Sequence, residues 1–379
     1  MDKMAVKGGY QLNGMTAASG SKNSTLPLIF ASLLADGQHV FHNVPDLVDV
    51  KFACQLLENL GCETSYKDHT LRVFMKPPKT FEAPYDIVRK MRASILCLGP
   101  LLARFKEAKV SLPGGCAIGT RPIDLHLEGM KAMGAEMTVD SGYVLGKTPH
   151  LQGARMLFES PTVGGTENIM MAATLAEGET VIENAAKEPE IVDLANYLNK
   201  MGAKVEGAGT SILRITGVEK LKPAEHDVTP DRIEAGTLLI AGAITGGEVT
   251  VDKCQPEDLV ALTSKMVESG FKITSDKHSV TVHKCKSWNG VDITTSPHPA
   301  FPTDLQAQFM ALMTQAQGTS VITETVFENR FMHVQELVRL NANITPKTRV
   351  AVVRGAPGQL TGAPVMATDL RASACLVLA

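Results

Sequence analysis

One pattern of apolar and polar positions recurs along this chain of 379 residues. Each repeat opens with a short polar cluster and a helix of small and apolar residues, and then passes through a strand into a second, amphipathic helix. The second helix ends near a residue that tolerates the left-handed conformation of a C-cap; these residues are Gly61, Gly134, Gly202, Gly270 and Asn341. Alternating stretches such as 211–216 and 279–283 then predict strand pairs.

The polar openings recur about every 70 residues. They are marked by Lys22, Arg92, Glu167, Arg232, Asp304 and Leu370. Five full repeats and the start of a sixth fit into the chain, so we predict an α/β fold with a truncated sixth repeat. About 40 residues would be needed to close that repeat, and we interpret the sequence as a truncated chain or a partial record. The openings differ in charge, as expected of helix N-termini specialised separately to bind anions.

Composition narrows the class of protein. Hydrophobic residues make up 44% of the chain and charged residues 20%, which is typical of a soluble globular protein. The net charge of −3 and the lack of a basic stripe argue against a nucleic-acid partner. We also expect no membrane segment, no signal peptide and no metal site. Seven cysteines without paired spacing predict reduced thiols and a cytoplasmic location.

The stretch 113–126 contains the strongest candidate for chemistry, Cys116. Two glycines precede Cys116, and Arg121, Asp124 and His126 lie within ten residues of it. A nearby cation lowers the pKa of a thiol, so Cys116 could be reactive at neutral pH. The alternative is a small buried core residue, which most free cysteines are. The polar, glycine-rich surroundings favour a functional role.

The segments taken together resemble the enolpyruvyl transferases, and among them those that act on UDP-N-acetylglucosamine at the start of peptidoglycan synthesis. The segments that carry the resemblance are 20–23, 91–94, 113–126, 183–193, 230–237, 298–309, 324–334 and 367–374. The resemblance implies a two-domain inside-out α/β barrel of six repeats. It places residues 22–229 in one domain and residues 1–21 plus 230–379 in the other.

The resemblance implies transfer of the enolpyruvyl group of phosphoenolpyruvate to the 3′-hydroxyl of UDP-N-acetylglucosamine, with release of phosphate. The implied catalytic residues are Cys116, Asp304 and Lys22. Cys116 would donate a proton to the methylene carbon, could form an adduct with phosphoenolpyruvate and would be alkylated by fosfomycin. Asp304 would accept the hydroxyl proton. No cofactor is implied, the only partners are the two small substrates, and a monomer is expected.

Substrate contacts are also carried over from the resemblance. Those for phosphoenolpyruvate are Lys22, Asn23, Arg121 and Arg371. Those for UDP-N-acetylglucosamine are Arg92, Arg121, Pro122, Ile123, Asp124, Leu125, Thr162, Val163, Gly164, Asp304, Val326 and Phe327. Asp231 and Glu188 are expected near the substrates without a defined role, and residues 114–121 are expected to form a mobile lid.

Several alternatives stay open from the sequence. Asp304 could be an ordinary carboxylate at a helix start, where the helix dipole favours it. Lys22 and Asn23 could form a surface turn. The chain could act instead on shikimate 3-phosphate, although that relative lacks a cysteine loop. It could also be an inactive, truncated chain that still binds a UDP-sugar.

Overall fold

The structure is a computed structural model that describes residues 3–112, 123–367 and 369–379. Its strands in these ranges are β1 Asn13–Ala17, β2 Gly37–His42, β3 Glu63–Lys67, β4 Thr70–Met75, β5 Glu82–Ala83, β6 Glu107–Ser111, β7 Glu136–Asp140, β8 Tyr143–Lys147, β9 Arg155–Leu157, β10 Glu179–Glu183, β11 Lys204–Glu206, β12 Ile212–Thr216, β13 Glu225–Asp227, β14 Glu248–Asp252, β15 Ile273–Ser275, β16 Val280–Val282, β17 Ile293–Thr294, β18 Thr319–Thr323, β19 Asn343–Pro346 and β20 Val350–Arg354.

The helices alternate with these strands. They are α1 Lys22–Ala31, α2 Val48–Leu60, α3 Tyr85–Val88, α4 Leu98–Phe105, α5 Asp124–Ala132, α6 Val163–Ala173, α7 Pro189–Lys200, α8 Arg232–Ile244, α9 Val260–Ser269, α10 Gln306–Thr314, α11 His333–Arg339 and α12 Leu370–Leu378. Short 3₁₀ helices span Ser32–Leu34, Arg92–Cys97, Pro256–Leu259 and Thr303–Leu305.

Five four-stranded sheets in the described residues share one topology. In each, an edge strand pairs in parallel with the strand that follows the first helix, and two antiparallel strands complete the sheet. The sheet β5-β6-β8-β7 is an example: β5 and β6 are parallel, whereas β6–β8 and β7–β8 are antiparallel. The repeat that the polar pattern predicts is therefore confirmed for its first five copies.

Two edge strands are exchanged along the chain. β1 comes before α1 but pairs with β14, the strand that follows α8. Conversely, β13 comes before α8 but pairs with β2, the strand that follows α1. The chain thus leaves one set of repeats after β1 and returns to it after β13.

The described residues fall into two compact units, residues 3–18 with 230–379 and residues 19–112 with 123–229. Each unit has its own hydrophobic core. The sequence-based bounds of 22–229 and of 1–21 plus 230–379 stay a prediction. Among the described residues, no helix has the length and apolar character needed to cross a membrane.

The first helices α6 and α10 are buried almost throughout, whereas the second helix α2 buries one face. All nine residues of α10 and all but the first two of α6 are buried. In α2, by contrast, the buried positions are Val50, Ala53, Leu56, Leu57 and Leu60, the spacing of one helical face. The sheets pack outside the buried first helices, which is the inside-out arrangement that the resemblance implies.

The predicted ends of the second helices are confirmed by their backbone. Gly61, Gly134, Gly202 and Gly270 have positive φ angles, and Asn341 has a φ of 73°. The prediction for one opening is wrong. Glu167 does not mark a helix start, because α6 begins at Val163, with Thr162 as its N-cap, and Glu167 lies buried inside the helix.

Candidate functional site

Two arginines converge on the predicted base in the unit of residues 3–18 and 230–379. Asp304 lies in the 3₁₀ helix that leads into α10. Arg330 donates from Nη2 to Asp304 Oδ1 at 2.6 Å. Arg371 Nε lies 3.5 Å from Asp304 Oδ2, and Arg371 Nη2 lies 3.7 Å from Asp231 Oδ2. The structure therefore brings together Asp304, Arg371 and Asp231, all predicted from the sequence, around one set of alternating charges.

Helix N-termini hold the outer members of this set. Asp231 is the N-cap of α8, where its Oδ1 accepts hydrogen bonds from the backbone N–H groups of Ile233 and Glu234. Asp369 caps α12 in the same way and accepts from the N–H of Arg371. Each cap satisfies N–H groups that lack partners within the helix. The α12 cap also fixes the backbone of Arg371, so its guanidinium projects from a defined position.

Val326 and Phe327, predicted to contact the sugar nucleotide, belong to the same unit. Their backbone N–H groups donate to Oε1 of Glu324 at 2.8 and 3.1 Å. The guanidinium of Arg330 stacks over the Phe327 ring, with 5.1 Å between its carbon and the ring centroid. Arg330 thus connects the segment of Val326 and Phe327 to Asp304.

Lys22 and Asn23 begin α1 in the other unit, residues 19–112 with 123–229. Ser21 caps this helix by accepting from the N–H of Ser24 at 3.2 Å. Lys22 Nζ lies 3.4 Å from Asp49 Oδ2, and Asn23 Nδ2 donates to Glu190 Oε1 at 3.5 Å. Both predicted residues are therefore held by carboxylates, and their side chains project from a helix N-terminus, where anions are favoured.

Glu190, which Asn23 contacts, belongs to a group of three interacting carboxyl groups. Glu167, Glu188 and Glu190 are all buried. Burial raises the pKa of Glu167 well above 4.5, and the charges of Glu190 and Glu188 raise it further. A neutral Glu167 relieves repulsion among the three, as expected when neighbouring carboxyl groups share a buried site.

The other residues that are predicted to contact the sugar nucleotide, and that the structure describes, lie around the starts of α5 and α6. Asp124 begins α5, with Ile123 before it and Leu125 after it, and Thr162 caps α6 ahead of Val163 and Gly164. His126 and Asn168 connect the two helices: Asn168 Nδ2 donates to His126 Nδ1 at 3.0 Å.

Arg92, at the start of its 3₁₀ helix, lies within electrostatic reach of His126. Burial lowers the pKa of His126 to about 4, and the charge of Arg92 acts in the same direction. The imidazole is consequently neutral at pH 7, and the hydrogen bond from Asn168 leaves the proton on Nε2.

Three predicted residues, Cys116, Arg121 and Pro122, lie outside the described residues, as does the expected lid at 114–121. The sequence analysis missed Arg330, Glu324 and Asp49. Arg330 and Glu324 both stand in the segment 324–334, whose resemblance was noted, but a charged residue in such a segment carries no signal of burial. Across the described ranges, no group of three or more His, Cys, Asp and Glu side chains could hold a metal ion.

Two solved structures share the architecture of this chain. The enolpyruvyl transferase NikO from Streptomyces tendae superposes with a TM-score of 0.85 at 23% identity, over 98% of this chain and 88% of that one. EPSP synthase from Acinetobacter baumannii superposes with a TM-score of 0.73 at 16% identity, over 97% and 89%. At these identities the likeness concerns the fold alone, and that fold is the one found in enolpyruvyl transferases.

Sequence comparison gives the family. The chain belongs to the family described as EPSP synthase (3-phosphoshikimate 1-carboxyvinyltransferase), whose profile matches residues 6–379. The UDP-N-acetylglucosamine 1-carboxyvinyltransferase of Bdellovibrio bacteriovorus is 66% identical over 99% of this chain and 91% of its own length. The enzyme of the same name from Geotalea uraniireducens is 54% identical over 100% and 91%.

Proposed function

We propose that this chain transfers the enolpyruvyl group of phosphoenolpyruvate to the 3′-hydroxyl of UDP-N-acetylglucosamine and releases phosphate, the first step of peptidoglycan synthesis. The observation that carries the proposal is the 66% identity, over 99% of the chain, to a relative that bears the name of this activity. The transfer is an addition followed by an elimination. It needs a base for the hydroxyl, an acid for the methylene carbon, and cations for a phosphate and a carboxylate.

Asp304 is the proposed base. Arg330 holds its Oδ1, and the Asp304 side chain retains 24% exposure, which a hydroxyl needs in order to approach it. Arg371 is the proposed partner of the phosphoenolpyruvate carboxylate. A substrate carboxylate would compete with Asp304 and Asp231 for this guanidinium. That exchange would replace the contact between Arg371 and Asp304 Oδ2 when the substrate arrives.

Lys22 and Asn23 are the proposed contacts of the phosphoenolpyruvate phosphate. Both begin α1, and both face a carboxylate, Asp49 or Glu190, that would orient them before the substrate binds. Arg121 is proposed to contact the same phosphate, and Cys116 to donate the proton to the methylene carbon. The mobile lid that the resemblance implies for residues 114–121 is also part of this proposal.

The sugar nucleotide is proposed to contact two groups of residues. One group, at the starts of α5 and α6 and at Arg92, consists of Arg92, Ile123, Asp124, Leu125, Thr162, Val163 and Gly164, with Arg121 and Pro122. The other consists of Asp304, Val326 and Phe327. Backbone N–H groups at the α6 start and a guanidinium suit a diphosphate, which is why we assign this side to the nucleotide.

The experiment that tests the proposal measures phosphate released from phosphoenolpyruvate with UDP-N-acetylglucosamine or with shikimate 3-phosphate as acceptor. We expect release only with the sugar nucleotide, and a large loss in Cys116→Ser. Release with shikimate 3-phosphate alone would favour the alternative acceptor. Calorimetric binding of UDP-N-acetylglucosamine without any phosphate release would favour an inactive binding chain.

A monomer acting in the cytoplasm is the proposed setting. The six cysteines among the described residues are all free thiols, which agrees with a reducing compartment. The proposed partners are the two small substrates alone. Light scattering of the purified chain tests the monomer, and a dimer mass would contradict it.

A further inference from the structure

Glu324 is a buried carboxylate that contacts both the turn of Val326 and Phe327 and the residue before Asp304. Glu324 is only 1% exposed. Its Oε1 accepts from Thr295 Oγ1 at 2.8 Å and from the N–H groups of Val326 and Phe327 at 2.8 and 3.1 Å. Its Oε2 accepts from Thr303 Oγ1 at 2.8 Å. All four partners donate, which is the pattern that an ionised carboxylate requires.

The bond to Thr303 continues to the proposed base. The Thr303 hydroxyl has one proton, and that proton is directed to Glu324. Its oxygen then accepts from Arg330 Nη1 at 2.8 Å, while Arg330 Nη2 donates to Asp304 Oδ1 at 2.6 Å. Each donor in this series of hydrogen bonds has one acceptor, so the direction of every bond in the series is fixed. Glu324 therefore determines where Arg330 lies, and Arg330 determines where Asp304 lies.

The same carboxylate fixes the backbone at the proposed nucleotide side. The N–H groups of Val326 and Phe327 converge on one oxygen atom, which holds the turn after β18 in a single conformation. Arg330 over the Phe327 ring adds a second connection between this turn and the base. One side chain thus controls two features that the reaction needs at the same time.

We infer that Glu324 is a positioning residue that aligns the sugar-nucleotide segment Val326–Phe327 and, through Thr303 and Arg330, the base Asp304. The inference rests on the proposed function and adds to it a residue that touches neither substrate. Loss of the oxygen facing Val326 and Phe327 weakens nucleotide binding, whereas loss of the oxygen facing Thr303 slows the chemical step.

Two substitutions at Glu324 separate these effects. In Glu324→Gln, the amide oxygen still accepts from the two N–H groups, but the amide nitrogen donates to Thr303, whose proton loses its acceptor. We expect kcat to fall about tenfold with KM for UDP-N-acetylglucosamine within about twofold of wild type. In Glu324→Ala both connections are lost, and KM rises about tenfold in addition.

A double-mutant cycle with Thr303→Val tests the route to Asp304. If Glu324 acts through the Thr303 hydroxyl, adding Glu324→Gln to Thr303→Val lowers kcat no further, because the connection is already broken. Glu328→Gln is the matched control, since Glu328 is an exposed glutamate in the same segment and pairs only loosely with Arg349 at 3.8 Å. We expect it to leave kcat and KM unchanged.

The outcomes separate the inference from the proposed function. Suppose that wild type releases phosphate and that this release depends on UDP-N-acetylglucosamine. An unchanged kcat in Glu324→Gln, or additive effects in the double-mutant cycle, then overturns the inference alone. No such release from folded wild type overturns the proposed function and the inference together. Thermal unfolding of each variant checks its fold; if Glu324→Gln is unfolded, an unchanged kcat in folded Thr303→Val is sufficient to overturn the inference.

Discussion

Arg330 Nη2 donates to Asp304 Oδ1 at 2.6 Å, while its Nη1 donates to Thr303 Oγ1 at 2.8 Å. Two N–H groups of one planar guanidinium thus hold neighbouring side chains at the start of α10. Arg330 is 6% exposed, so water cannot readily replace these bonds. A lysine carries the same charge, but its single ammonium group cannot reproduce the fork.

We therefore predict that Arg330→Lys lowers kcat for phosphate release by about 100-fold, because the carboxylate of Asp304 is no longer aligned. The free energy of unfolding falls by about 1–3 kcal/mol, the cost of leaving a buried polar group without its partner. Steady-state kinetics and urea unfolding measure the two effects. Arg354→Lys, which changes an exposed arginine that donates to Thr345 Oγ1, is the control. A kcat within about threefold of wild type would show that Asp304 does not depend on this contact.

Glu167 makes stability depend on pH. Burial raises its pKa well above 4.5, and Glu190 and Glu188 raise it further. The folded chain therefore keeps a proton that the unfolded chain releases near pH 4.5, so the contribution of Glu167 to stability falls as pH rises from 4.5 towards the raised pKa. Glu167→Gln removes this loss.

Raising the pH from 5 to 8 should lower the free energy of unfolding of wild type more than that of Glu167→Gln. We predict that the two changes differ by at least about 1 kcal/mol. Urea unfolding at the two pH values measures the difference. Glu219→Gln changes an exposed glutamate and should reproduce the wild-type difference. Equal pH dependence in wild type and Glu167→Gln would contradict a protonated Glu167.

The repeat could be predicted from the sequence because its signals are local. Helix amphipathicity and the C-cap residues Gly61 and Asn341 depend on neighbours within a few residues, and both residues have the expected positive φ. The exchange of β1 and β13 has no such local signal, and only the resemblance, which groups residues 1–21 with residues 230–379, pointed to it. Each strand pairs with a partner about 200 residues away, and no local pattern in a short strand specifies that partner.

The site was predictable to a similar extent. The resemblance predicts site roles for Asp304 and Arg371, and the structure places Arg371 Nε 3.5 Å from Asp304 Oδ2. Arg330 and Glu324 were missed because their importance comes from burial and from bonds to residues that precede them by more than 20 positions. Glu167 was misplaced at a helix start because it belongs to a polar cluster of the kind that opens the other repeats, whereas α6 begins at Val163. In each case the sequence shows the charge of a residue but not the partner that the fold supplies.

His333 is buried in the first turn of α11 without a hydrogen bond at either ring nitrogen, as far as the described residues show. Burial lowers its pKa from 6.5 to about 4, opposed by the charge of Asp369 and assisted by that of Arg330. The folded chain holds the ring neutral. As pH falls from 6.5 to 4, the unfolded chain binds a proton that the folded chain does not, and stability is lost.

Lowering the pH from 7.5 to 5 should reduce the free energy of unfolding of both proteins. We predict that the reduction in His333→Phe is about 2 kcal/mol smaller than that in wild type. The substitution also removes two buried polar atoms, so the variant should be no less stable than wild type at pH 7.5. Chemical denaturation at both pH values provides the measurement. His278→Phe, at an exposed histidine, should keep the wild-type pH dependence. A steeper loss in His333→Phe would mean that the ring is charged in the folded chain.

Gly20 lies against the backbone of Asn43 immediately before the α1 N-terminus. A Cβ atom at Gly20 would stand 1.7 Å from the Asn43 carbonyl oxygen and 2.9 Å from its carbonyl carbon. Because both are backbone atoms, no side-chain rotation relieves the overlap, and the chain around Gly20 must move. That chain carries Ser21, whose hydroxyl caps the helix that presents Lys22 and Asn23.

Gly20→Ala should therefore lower the free energy of unfolding by about 3 kcal/mol or more, as severe steric conflicts in a core do. In the fraction that stays folded, KM for phosphoenolpyruvate should rise more than KM for UDP-N-acetylglucosamine, because the displacement reaches Lys22 and Asn23 first. Gly8→Ala is the control, since nothing lies within 4 Å of a Cβ there. A Gly20→Ala chain with wild-type stability and wild-type KM values would show that the segment before α1 can shift without moving the residues that begin the helix.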